Sequence, residues 1–226
     1  MFARLSLIAA LAVAPMAMAQ DQTPPPAPPA TAEEIAAARA IADRLITAGE
    51  ARGVFINTTK DGLAQVTHVG SGMTCRFEGG ARDRIMVFPE GPGRPPRGDD
   101  VGCVSYDEAL DIDLTLYATR YRPLPSEAAV LADARRAIES RWPDAQPYAE
   151  GLPTLSLEGQ SPPQIAAYKI QLDGRQKLTL ALVTHRGEWG FKARATGPYD
   201  QAMAVGLFAG VLLQGALMER EAPKAD

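Results

Sequence analysis

Histidine, asparagine and cysteine are nearly missing from this chain, with two, one and two residues among 226. His68 and His185 alone, without any C-x-x-C, cannot spell a zinc ligand set or a redox dithiol. No glycine loop has the spacing that cradles a phosphate, so no cofactor is implied. Gly70-Ser71-Gly72 lacks the G-x-S-x-G spacing of a nucleophile elbow, and a tight turn accounts for both glycines. An excess of positive charge is also lacking. Lysine and arginine total 23 against 27 acidic residues, a net charge of −4, which excludes a protein that binds nucleic acid with its whole surface.

The most explicit stretch comes first. Met1 to Arg4 is short and basic, and Leu5 to Ala14 is an almost unbroken apolar run. Pro15 breaks any helix, and Ala17-Met18-Ala19 offers small residues at both positions a signal peptidase inspects. Residues 1–19 therefore read as a secretory signal cleaved near Ala19, too short to span a bilayer permanently. No twin arginine precedes the run, and no cysteine follows the cut for lipid attachment. The expected location is periplasmic or secreted, a Gram-negative host being suggested by 18 arginines against 5 lysines. In that oxidising space the even cysteine count, Cys75 and Cys103, predicts a disulfide.

Residues 20–31 hold Pro24-Pro25-Pro26-Ala27-Pro28-Pro29, an extended linker. A single α+β domain is expected over 32–221, followed by a flexible tail at 222–226. Thr31 with Glu34 forms a capping box for a first helix to about Gly49. Strands are expected at Val54-Thr58, Ala64-Val69, Met73-Phe77, Ile85-Phe88 and Val101-Tyr106, and clean alternation extends the set from Ile112 to Thr119. Ser126 caps a second helix that Pro143 stops.

Three alternating strands follow, marked by Tyr168-Ile170-Leu172, Leu178-Leu180-Leu182 and Trp189-Phe191-Ala193, with turns placed at Asp173-Gly174 and Arg186-Gly187. A final helix runs from about Asp200 to Met218. The order is helix, strands, helix, three-strand meander, helix: an antiparallel sheet covered by helices. The final helix is apolar apart from Gln214, and Gly206 with Gly210 suits close packing on the sheet, so no transmembrane segment is expected in the mature chain.

The meander concentrates positive charge. Lys169, Arg175, Lys177, Arg186, Lys192 and Arg194 face only Asp173 and Glu188 between 169 and 194. Lys169, Lys192 and Arg194 occupy polar positions of the alternation and are expected to share one wet face. With Lys177 they form a candidate binding site for an anionic envelope component or a protein partner. Asp113, Thr115, Tyr117, Thr119 and Tyr121 line another candidate polar face. The competing class is a small hydrolase using His68, Ser71 or His185. Arg97-Gly98-Asp99 and Asn57-Thr58-Thr59 match short adhesion and glycan-acceptor patterns that arise often by chance.

Two segments carry a family resemblance. The strand Leu116-Tyr117-Ala118-Thr119-Arg120-Tyr121 precedes a helix, and Trp189-Gly190-Phe191-Lys192 leads through Gly197-Pro198 into another. In element order, residues 66–217 resemble PsbP-like α/β/α proteins. The resemblance implies a non-catalytic assembly or accessory module. It carries over no catalytic residue, and it does not account for the two cysteines or the loop from Pro89 to Gly98.

Overall fold

The computed structural model describes residues 28–91, 93–156 and 159–218. The leader, most of the proline linker and the tail lie outside the described residues. Helix α1 (Ala32–Ala48) starts on the capping box: Thr31 Oγ1 accepts from the Glu34 amide at 3.2 Å, and Glu34 accepts from the Thr31 amide at 2.7 Å. Ala38, Ala42, Leu45 and Ile46 recur at helical spacing on its buried side.

Ten strands follow or separate the helices: β1 (Phe55–Asn57), β2 (Ala64–His68), β3 (Thr74–Phe77), β4 (Arg84–Val87), β5 (Asp100–Asp107), β6 (Ile112–Arg120), β7 (Gln146–Pro147), β8 (Gln164–Leu172), β9 (Arg175–Arg186) and β10 (Trp189–Pro198). Helix α2 (Glu127–Arg141) is capped by Ser126, whose side chain accepts from the Ala129 amide. Helix α3 (Ala202–Met218) closes the described chain.

The strands form two antiparallel sheets rather than one. β1-β2-β3 make a small sheet, and β4-β5-β6-β10-β9-β8-β7 make a large one. The Cys75–Cys103 disulfide ties β3 of the small sheet to β5 of the large sheet, with the Cα atoms 6.4 Å apart. One hairpin turn is where expected: Asp173 and Gly174 both take positive φ, as a two-residue turn between Leu172 and Arg175 requires. The other is displaced by one residue, because Arg186 still pairs with Trp189 and leaves Gly187-Glu188 as the turn.

The large sheet has a different core on each face. On one, Leu114, Leu116, Leu178, Leu180, Leu182, Phe191 and Ala193 pack with the small sheet, α1 and α3. On the other, Ala166, Tyr168, Ile170, Ala181 and Val183 pack under Val130, Leu131, Ala134 and Ile138 of α2. Strands β8 and β9 are therefore covered on both sides.

Helix α3 corrects one expectation about its glycines. Ala202, Val205, Ala209 and Leu213 belong to the core shared with the sheets. The Gly206–Gly210 face instead receives the loop before β8: a Cβ on either glycine would sit 3.4–3.5 Å from Leu152 or Leu155. Gln214 Nε2 donates to the Leu155 carbonyl at 3.0 Å, fixing that loop on the helix.

Candidate functional site

The antiparallel register divides the meander cations. Lys192 pairs with Val183 on β9 and Tyr117 on β6, and Arg194 pairs with Ala181 and Thr115. Directly paired residues share a face, so both cations lie on the α2 side of the large sheet. Lys169 pairs with Leu178, whose side chain belongs to the opposite core. It therefore projects from the other face, where its Nζ lies 5.1 Å from the centre of the Tyr199 ring. The expected trio is not one patch.

Lys177 shares the Lys192 face but is neutralised by an ion pair with Asp111, which Arg175 approaches at 4.0 Å. Arg186 is occupied with structure: it donates to the Leu217 carbonyl in the last turn of α3 and to Gln160 Oε1 at 2.7 Å. Lys192 and Arg194 remain. Among the described residues neither makes an ion pair with a carboxylate. Arg194 Nε is closed off from solvent with no hydrogen-bond partner there, as is His185 Nε2 on the same sheet face. A buried donor without an acceptor is uncommon in folded proteins.

The surroundings of Lys192 are aromatic. Its Nζ lies 4.6 Å from the centre of the Tyr117 ring, and Tyr117 stacks with Phe88 at 6.2 Å. Two glycines let rings lie down on the sheet. A Cβ at Gly102 would meet Met86 at 2.8 Å and Tyr117 at 3.4 Å, and one at Gly190 would meet Tyr121 at 2.7 Å. Thr119 Oγ1 donates to Asp100 at 2.8 Å beside these rings. Helix α2 covers the β8–β9 part of the face, whereas Thr115, Tyr117, Thr119, Lys192 and Arg194 stay partly exposed. Burial lowers the Lys192 pKa to about 8, and the Arg194 charge adds to the shift against the opposing pull of Asp100 and Asp133. The two candidate polar faces read from the sequence meet in part: Thr115, Tyr117 and Thr119 of β6 adjoin Lys192 and Arg194 of β10, and Lys169 lies on the other face.

The nucleophile candidates sit elsewhere. His68 Nδ1 lies 2.8 Å from Ser71 Oγ and accepts from the Ser71 amide at 3.1 Å. Ser71 Oγ also accepts from the Met73 amide at 3.1 Å, closing the turn between β2 and β3. Both residues are only 2% exposed, and His68 is packed between Phe55 and Trp189. Burial lowers the His68 pKa to about 4, against a ring N–H hydrogen bond to the Gly98 carbonyl and the charge of Asp99. The arrangement suits a neutral structural imidazole. His185 lies across the large sheet, with its backbone amide donating to Glu127 at 2.8 Å. Trp189 against His68 and Gly190 against His185 point to opposite faces of β10.

The short matches are tied into the fold as well. Asn57 Nδ2 donates to Asp43 at 2.8 Å and to the Arg39 carbonyl at 3.0 Å. Arg97 bonds the Glu50 carbonyl, and Asp99 faces Arg120 and Arg122 at 3.8 and 3.6 Å.

No family model matches the chain, and no curated protein matches it. Among solved structures it is similar to LpqN, described as involved in cell envelope biogenesis of Mycobacterium tuberculosis, at 16% identity and a TM-score of 0.29. That match covers 62% of this chain and 85% of LpqN. It is also similar to CalU16 from Micromonospora echinospora at 12% identity and a TM-score of 0.25, over 53% of this chain and 81% of that one. Likenesses this loose carry no functional argument, and the α+β fold is defined by the strand order and helix packing above.

Proposed function

We propose that this chain is an exported, non-catalytic envelope module that holds an anionic group on the half-open face of its large sheet. Lys192 and Arg194 supply the charge, and Tyr117, Phe88 and Tyr121 supply a flat apolar floor beside it. The observation that carries this reading is a pair of partly exposed cations on one face that, among the described residues, make no ion pair with a carboxylate. A phosphate or carboxylate there would accept from Arg194 and neutralise a lysine that is costly to keep charged. The disulfide supports export, because cystines persist in oxidising compartments.

The charge-reversed pair Lys192→Glu/Arg194→Glu tests the reading. Sedimentation with the host envelope fraction, with anionic liposomes and with soluble host proteins separates a membrane ligand from a protein partner. Attachment lost in the pair and kept in Lys169→Glu is the expected result. Attachment unchanged in the pair refutes it.

A further inference from the structure

Away from that face, a cavity of about 270 Å³ opens beneath the end of α3. The Cys75–Cys103 cystine, Phe77, Leu114 and Leu116 form its floor, and Leu212 and Met218 of α3 form its roof. Among the described residues Arg76 is the only charged one lining it, accompanied by Thr74 and Ser105. A second cavity of about 190 Å³ adjoins it and shares Arg76, Phe77, Ser105 and Leu212. That neighbour is lined by Glu78, Asp83 and Asp107, so an anion is disfavoured beyond Arg76.

Three features select the occupant. The volume lies near the lower end of small-ligand cavities, roughly 300–1,000 Å³, which suits a slender chain and not a fused ring system. Met218 lines the cavity and is 61% exposed, at the end of an uncovered stripe formed with Met203, Leu207 and Val211. Exposed apolar side chains of α3 therefore adjoin the cavity among the described residues. Arg76 pairs with Asp61 at 2.7 Å, but both side chains are about half-exposed, and such pairs are weak enough to exchange for another anion.

We propose that this cavity binds a fatty acid: the acyl chain lies between the cystine floor and α3, and the carboxylate rests on Arg76. The site is independent of Lys192 and Arg194, so it stands or falls apart from the anionic face.

The test uses the protein purified from its host, with dodecanoate and dodecanol below their micellar concentrations competing against a fluorescent polyene fatty acid. Gly215→Leu is the blocking variant. Gly215 lines the cavity, a Cβ there meets nothing within 4 Å, and leucine favours a helix more than glycine does. Its melting temperature serves as the folding control.

Dodecanoate is expected to displace the probe, and Gly215→Leu to weaken it at least about tenfold, or ~1.4 kcal/mol. Arg76→Gln is expected to weaken dodecanoate several-fold without changing dodecanol. Failure of wild type to bind monomeric dodecanoate overturns the proposal, as does attachment only to vesicles. A stably folded Gly215→Leu that binds as well as wild type overturns it too.

Discussion

Lys192 Nζ sits 4.6 Å from the centre of the Tyr117 ring on the neighbouring strand, and that ring lies over Gly102, where a side chain would collide with Met86. The lysine is held by an aromatic face and not by a carboxylate, a geometry that attracts a cation without neutralising it. On the proposed reading, that charge is left for a ligand.

The protonation of Lys192 sets a pH limit. Its folded pKa of about 8 lies below the ordinary 10.5, because burial disfavours the charged form. Below about pH 8 the amine is charged, the state in which the proposed site would hold an anion; as pH rises through 8 the charge is lost. Anion attachment is expected to fall between about pH 7 and 9. In Lys192→Arg, which stays charged throughout, the fall should disappear from a pH series of binding constants.

His68 acts through stability. A buried imidazole whose pKa falls from 6.5 to about 4 leaves the unfolded chain binding the extra proton between those values. Its stabilising contribution is full above pH 6.5 and is lost as pH falls toward 4, by about 3 kcal/mol. Denaturant titrations across this window should show that slope in wild type and a shallower one in His68→Leu.

Removing the cystine should loosen the small sheet first. The bridge closes a loop with a sequence separation of 28 between the two sheets, which on the chain-entropy account contributes roughly 3–4 kcal/mol. Cys75→Ser/Cys103→Ser should lose about that much by chemical denaturation. Hydrogen exchange should quicken in β1 to β3 before β6, β9 and β10.

Gly206 and Gly210 of α3, which face the loop before β8, should tolerate a methyl group but nothing larger. A Cβ at Gly210 meets Leu155 no closer than 3.5 Å, an ordinary contact. Gly210→Ala should therefore gain up to about 1 kcal/mol in helix propensity, while Gly210→Leu should lose about 1–3 kcal/mol by displacing the loop. Thermal melts of the two variants give the comparison.

Much of this architecture is legible in the residues. Alternation from Ile112 to Thr119, the Thr31–Glu34 box and the Asp173-Gly174 turn each mark an element that forms where its local chemistry places it. The division of the first strands between two sheets is not legible, since alternation reports a buried face without saying which neighbour buries it. The misplacement of Lys169 has the same origin. Tyr168 and Ile170 are buried by α2, whereas Leu178, Leu180 and Phe191 are buried by the opposite core. Equal alternation in β8 and β10 thus puts Lys169 and Lys192 on opposite faces. The isolation of Lys192 and Arg194 also depends on distant carboxylates: Asp111 takes Lys177 across 66 positions, and no local pattern foretells that.

The most direct test of the central claim is sedimentation of the protein with its host envelope fraction across a salt series. Attachment should be strong at low salt and largely lost near about 0.5 M, where screening confines charge attraction to a few ångströms. Attachment that is absent at low salt, or unchanged across the series, contradicts an anion held by Lys192 and Arg194.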